Sequence, residues 1–193
     1  MSDDGRAGWE ERHRGREAGG TPEPWMCEML PLLPDGGVAL DVAAGRGRHS
    51  IALAEHGLSV IAVDYSQLAM RMLAKVVHEQ RLSIWPVVAD LDSFCVRSGS
   101  LDLIVNVNYL DRRLFPEFTR ALKPGGMLMV DTFLIDQLAL GHPSNPEFMF
   151  QHHELETLLP GFEIRRYDEG LRNYPDGSHA WRASALAIKT ETD

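Results

Sequence analysis

The sequence predicts a doubly wound α/β sheet, and three observations predict it. Residues 38–64 read as strand, glycine-rich loop, helix, strand and terminal carboxylate. Apolar runs of strand length then keep alternating with segments of helical period up to Phe133. Finally, two strand-like segments joined through Tyr174-Pro-Asp-Gly177 close the chain as a hairpin, which adds an antiparallel strand.

Residues 1–20 are polar and carry Asp3, Asp4, Glu10, Glu11 and several arginines, so they are expected to be mobile, with 21–193 forming one domain. Trp9, Arg12 and His13 share a side if this segment is helical, which describes either a folding lid or a disordered tail with one aromatic. Trp25, Met26, Met29, Leu30 and Leu33 recur at helical spacing until Pro34-Asp-Gly-Gly stops them. Core packing is the expected role of Trp25. Val38 to Val42 is an apolar run broken only by Asp41, the pattern of a strand buried on both faces. Ile51, Leu53 and Ala54 give the following helix its apolar side, and Gly57 stands where a left-handed cap belongs.

Residues 58–63 form the second strand, closed by Asp64. Ser66 is placed to cap a helix whose apolar face is Ala69, Met72, Leu73, Val76 and Val77. The third strand, 84–89, contains Pro86, which lacks a ladder donor and so puts this strand at a sheet edge. A fourth strand, 101–107, runs into Asn106-Val-Asn-Tyr109. Leu114, Phe115, Phe118, Ala121 and Leu122 mark the next helix, with Pro116 near its start, and Lys123-Pro-Gly-Gly126 reads as a tight turn into a fifth strand, 127–133. A proline-bearing loop at 141–146, a short helix at 154–159 and strands at 162–168 and 181–189 complete the series.

With 193 residues the chain is long enough for one sizeable core, and its net charge of −9 argues against nucleic acid or an anionic membrane as partner. Cys27 and Cys95 have neither disulfide-framework nor metal spacing and read as buried, reduced thiols of a cytoplasmic protein. No apolar run reaches membrane-spanning length, and the acidic N-terminus does not read as a signal peptide.

The ligand of such a sheet lies at the C-terminal strand ends. A nicotinamide dinucleotide is the first candidate, because Gly45-Arg-Gly-Arg-His-Ser50 nearly matches G-x-G-x-x-G and Asp64 follows Gly45 by 19 residues. Asp41 speaks against it, since a carboxylate beside the loop repels a pyrophosphate. The closing hairpin, with no further catalytic domain after it, points the same way. S-adenosylmethionine fits better. Asp41 suits its net positive amino-acid end, while N–H groups of Ala43, Ala44, Gly45, Arg46 and Gly47 suit its carboxylate, with Arg46 and Arg48 as candidate helpers. Asp64 is positioned for the ribose hydroxyls, and Asp90 with Leu91 for the adenine.

The residues Leu40-Asp-Val-Ala-Ala-Gly-Arg-Gly-Arg48, Val60-Ile-Ala-Val-Asp64 with Tyr65-Ser66, and Leu122-Lys-Pro-Gly-Gly126 resemble the class I S-adenosylmethionine-dependent methyltransferases, over residues 25–189. The resemblance implies a Rossmann-like sheet of seven strands in the order 3-2-1-4-5-7-6 with strand 7 antiparallel, in agreement with Pro86 and the final hairpin. Gly-Arg-Gly-Arg-His49, Asn108-Tyr-Leu and Asp131-Thr-Phe133 look most like the small tellurite-resistance and thiopurine methyltransferase-like branch. One departure is that Ala43 and Ala44 stand where the family usually has glycine and often cysteine. The cofactor set is then Asp41, Ala43, Ala44, Gly45, Arg46, Gly47, Asp64, Tyr65, Ala89, Asp90, Leu91 and Asn106.

Methyl transfer to a small molecule is an in-line displacement in which positioning does much of the work, and a base is needed only for a protonated nucleophile. Asn108, Tyr109, Arg113 and His142 are the candidate catalytic residues. Asn106-Val-Asn-Tyr109 is superficially like the Asn-Pro-Pro-Tyr signature of amino-group methyltransferases but lacks both prolines. Asn108 and Tyr109 equally read as capping and packing residues, and Arg113 as a surface partner of Asp111 or Glu117. His142, His152 and His153 lack metal spacing and suit a polar loop over the site, with His142 or His152 as proton acceptor. A catalytically silent cofactor-binding protein and a nicotinamide-dependent oxidoreductase are the alternatives.

Overall fold

The computed structural model describes residues 18–92 and 95–191. Trp9, Arg12 and His13 lie outside the described residues. Gly19, in the segment expected to be mobile, donates its N–H to the Arg46 carbonyl at 2.8 Å. The chain divides into two compact units, Met1–Cys95 and Val96–Asp193.

In the first unit, helix α1 (Pro24–Met29) starts on proline, whose fixed φ and missing N–H suit a first helical turn. It buries Trp25, Met26 and Met29 and passes into a 3₁₀ turn, Leu30–Leu32. Cys27 takes the outward side of α1, and both it and Cys95 are exposed, contrary to the expected burial. Strands β1 (Val38–Val42), β2 (Ser59–Asp64) and β3 (Ile84–Val88) pair in parallel, in the order β3-β2-β1. Within this unit Pro86 therefore sits on the outer strand, which leaves Trp85 54% exposed.

Helix α2 (Arg48–Glu55) turns His49, Ser50 and Leu53 inward rather than Ile51 and Ala54, because its first turn carries the polar groups that serve the loop before it. Helix α3 (Gln67–Gln80) is capped by Ser66, whose hydroxyl accepts from the Ala69 N–H at 3.1 Å. Its buried face is Ala69, Met70 and Leu73, so Met70 takes the inward place expected of Met72.

The second unit contains β4 (Leu101–Val107), α4 (Phe115–Ala121), β5 (Leu122–Leu134), β6 (Met149–Phe150), α5 (Glu154–Thr157), β7 (Phe162–Asn173) and β8 (His179–Lys189). The order within it is β4-β5-β8-β7, with β8 antiparallel to both neighbours, as the resemblance implied for the last strands. There are eight strands among the described residues, not seven, because Met149 and Phe150 return alongside the end of β5 and pair in parallel with Phe133 and Leu134.

Lys123-Pro-Gly-Gly126 is an irregular insertion inside β5 rather than a turn before it. Leu101 pairs with Leu122 and Leu103 with Met127, so the four residues 123–126 bulge out opposite Asp102 alone. Lys123 closes the bulge through an ion pair to Asp102 at 2.7 Å. Among the described residues no helix is long and apolar enough to cross a membrane.

Candidate functional site

In the first unit, candidate binding groups gather where β1 and β2 end. Asp41 is 1% exposed and accepts from the Ser50 hydroxyl at 2.5 Å and from the Ser50 backbone N–H. Burial pushes its carboxyl up to about 7, a rise that the Ser50 bonds oppose and the charge of Asp64 reinforces. A buried carboxyl in that state gains most from an approaching cation.

The loop that follows bends through alternate left-handed positions. Ala43 has φ +53°, in a region where a side chain is strained, and Gly45 and Gly47 follow at +54° and +79°. At Gly47 a side chain would also collide with buried Leu73, its Cβ falling 2.7 Å from Cδ2 and 3.0 Å from Cγ. This glycine is required by space as well as by conformation.

Asp64 ties the loop to β2. One of its oxygens accepts from the Gly45 N–H and the other from the Ser66 N–H, both at 2.8 Å. Each oxygen keeps a second lone pair, so a diol can bind alongside these bonds or replace the one to Gly45. Ala44 donates to the Val63 carbonyl at 2.9 Å and Ala89 to the Asp64 carbonyl at 3.1 Å, which holds both loops at the C-terminal strand ends.

Tyr65, Ala89, Asp90 and Leu91 are half-buried in the same region, and Asp90 accepts from the Asp92 N–H at 3.1 Å. Arg48 turns instead toward the preceding segment, donating to the Thr21 carbonyl at 3.2 Å and lying 3.9 Å from Glu23. The carbonyl of Arg46 holds Gly19.

In the second unit, β4 runs to Val107. Asn106 is 1% exposed and its side-chain oxygen has no hydrogen-bond partner among the described residues. A buried acceptor left unpaired is costly, and it fits a ligand that brings an N–H. Asn108 is exposed and has φ +59°, and Tyr109 is half-buried.

Arg113 lies on the 3₁₀ turn Arg112–Leu114. It is exposed and pairs with Asp111 at 2.6 Å. Its neighbour Arg112 is the structural arginine. It pairs with Glu154 and donates to the carbonyls of Glu147 and Met149 at 3.1 and 2.9 Å, fastening the segment after β5. His142 is exposed, and its carbonyl accepts from Gln137 at 2.7 Å. His152 lies between two carboxylates, Glu169 and Asp136, each at 2.7 Å, and the hydrogen bond to Glu169 leads the effects that raise its pKa.

Two groups lie outside the expected set. Ser50 is the partner of Asp41, and its place in the first turn after the loop was a usable signal. The other is a buried cluster around Asp131, which is 0% exposed. Arg182 reaches it at 2.8 Å, Arg172 at 3.2 Å and the Ser184 hydroxyl at 2.5 Å. Burial alone would raise the Asp131 carboxyl. The charge and hydrogen bonds of Arg182, with Arg172 and Ser184, overcome that and hold it below the usual range. An arginine inside the apolar run Trp181-Arg-Ala-Ser-Ala-Leu was the sequence signal for this cluster.

Residues 39–126 match the family described as a methyltransferase domain. A demethylmenaquinone methyltransferase of Renibacterium salmoninarum is 36% identical over 153 residues, covering 71% of this chain and 60% of that protein. A tRNA (carboxymethyluridine(34)-5-O)-methyltransferase of Macaca fascicularis is 28% identical over 125 residues, covering 61% of this chain and 18% of that protein. The chain thus spans less than two thirds of the length of either relative.

Among solved structures, TehB of Haemophilus influenzae superposes with TM-score 0.74 at 19% identity, covering 88% of this chain and 63% of that one. A geranyl diphosphate C-methyltransferase of Streptomyces coelicolor, solved with S-adenosyl-L-homocysteine, gives 0.71 at 16% identity, covering 97% and 98%. At such identities the two structures establish likeness of fold.

Proposed function

Because residues 39–126 belong to the methyltransferase-domain family and the fold is that of the class I S-adenosylmethionine-dependent methyltransferases, we propose that the chain binds S-adenosylmethionine and transfers its methyl group to a small-molecule acceptor. The observation that carries the reading is Asp41, a buried carboxyl at the mouth of a glycine loop, which attracts a cationic amino-acid end and repels a pyrophosphate.

In this reading Asp41, steadied by Ser50, faces the positive end of the cofactor. The loop of Ala43, Ala44, Gly45, Arg46 and Gly47 offers backbone N–H groups to its carboxylate. Asp64 takes the ribose hydroxyls, with Tyr65, Ala89, Asp90 and Leu91 around the base, and the unpaired oxygen of Asn106 suits the ammonium. When bound, the cofactor supplies an electrophilic methyl group and departs as a neutral thioether. The work left to the chain is to hold the acceptor atom in line and to keep water away. Asn108 and Tyr109 are the residues proposed on the acceptor side. A small acceptor is supported by the −9 net charge, which disfavours a polyanion. A cytoplasmic setting belongs to the same proposal.

Calorimetric titration with S-adenosylmethionine tests the cofactor, and turnover to S-adenosylhomocysteine with a panel of small acceptors tests the enzyme. A folded protein that shows no binding at about 1 mM cofactor, a threshold of roughly −4 kcal/mol, would overturn the reading.

A further inference from the structure

Residues 19–23 belong to no helix or strand, yet Gly19 and Glu23 are buried while Gly20 and Thr21 between them are exposed. Backbone with no ladder of its own must find partners elsewhere or leave them to water. Here the partners are the residues where the glycine loop passes into α2. Gly19 donates its N–H to the Arg46 carbonyl at 2.8 Å. The Thr21 carbonyl accepts from Nη1 of Arg48 at 3.2 Å, and the Glu23 N–H donates to Nε2 of His49 at 3.3 Å. The Glu23 carboxylate lies 3.9 Å from Nη2 of Arg48. Arg46, Arg48 and His49 are thus all tied to one short segment, and every residue involved belongs to the first unit.

The two ends of the segment are seated differently. Glu23 runs into α1, whose Trp25 and Met26 are buried, so this end is anchored. Gly19 has φ +76° and lies so close to α2 that a Cβ there would fall 3.1 Å from Cδ1 of Ile51. From its other side the same stretch is held by Asp64, which accepts from the Gly45 N–H, and by Asp41, which accepts from the Ser50 hydroxyl. Residues 45–50 are therefore gripped both by groups assigned to the cofactor and by 19–23. A stretch already ordered by one partner costs the other less to order, so the two events favour each other, and by equal factors.

We propose that residues 19–23 are a strap coupled to cofactor binding. Fastened on Arg46, Arg48 and His49, the strap raises the affinity of the glycine loop, and cofactor on the loop tightens the strap in return. This rests on the methyltransferase reading and adds a regulating element to the same site. Glu23 and His49 are positioning residues, acting through the start of α2.

Opening of the strap is a local event that amide hydrogen exchange reads. The test uses the full chain, isotopically labelled and followed by NMR with and without saturating S-adenosylhomocysteine. The Gly19 and Glu23 amides should exchange at least about fivefold more slowly with the ligand bound. Glu23→Pro suits the φ of −59° already present and removes both the N–H given to His49 and the carboxylate beside Arg48. Calorimetry should show that variant binding S-adenosylhomocysteine at least about fivefold more weakly, and the slowing at Gly19 should shrink. A segment that only supports the fold would lower the melting temperature of the variant and leave both of these readings unchanged. If Glu23→Pro does not fold, Gly19→Ala, opposed by its left-handed φ and by Ile51, decides by the same measurements.

Equal exchange at both amides with and without ligand, or unchanged affinity in the variant, overturns the inference. Failure of the parent to bind S-adenosylhomocysteine at about 1 mM instead overturns the methyltransferase reading beneath it.

Discussion

Asp41 meets two opposing demands, burial and ligand charge. With its carboxyl raised from 3.8 to about 7, the folded chain holds a proton that the unfolded chain releases across that interval. Its contribution to stability is complete below the unfolded value and is lost as pH rises through about 7. Urea unfolding should therefore show Asp41→Asn gaining on the order of 2 kcal/mol over the parent at pH 8, with little difference at pH 4. The parent's affinity for S-adenosylmethionine should rise between pH 6 and 8 as the carboxylate forms, an effect calorimetry would find missing in Asp41→Asn. Asp131 is the opposite case, since its carboxylate is kept charged by its partners. Asp131→Asn leaves Arg182 buried without its counter-charge and should cost about 3–5 kcal/mol in the same unfolding experiment. Asp41 and Asp64 were visible in the sequence because they sit at strand ends beside a glycine loop. Arg172 and Ser184 were not, because their partner lies on another strand and no local spacing records it.

At the scale of elements, the strain in the glycine loop is concentrated at Ala43, with φ +53° where a glycine would be unstrained. Ala43→Gly should raise stability by about 1 kcal/mol, the left-handed penalty outweighing the added freedom of the unfolded chain, as a shift in urea midpoint would report. The helices and the first four strands were legible from periodicity, since each buries a regular face. Three features were not. Lys123-Pro-Gly-Gly126 carries turn residues, yet the ladder resumes on the same partner strand and makes it a bulge. Met149–Phe150 is too short to show any period. Strand β7 runs on to Asn173 because β8 pairs with it throughout, although its polar residues on both faces offer no apolar alternation to read.

For the molecule as a whole, alternating strands and helices named the fold class, and the final hairpin distinguished this sheet from a dinucleotide-binding one. The buried cluster around Asp131 was much less legible, because Arg182 and Arg172 reach it from segments far away in sequence. Ligand linkage gives a test at this scale. Cofactor at about 100 times its Kd adds about 2.7 kcal/mol, so thermal unfolding should move up by roughly 5–10 °C in S-adenosylmethionine and stay put in reduced dinucleotide.

The outer strand of the first unit has a consequence of its own. An open strand bearing an uncovered Trp85 and Val88 is a template on which a second copy can grow a shared ladder, the first step toward fibres in a crowded cell. Pro86, between those two residues, has no amide hydrogen to give, so an arriving copy meets a gap in the ladder. The proline that marked the sheet edge in the sequence thus also guards the chain against its own self-association.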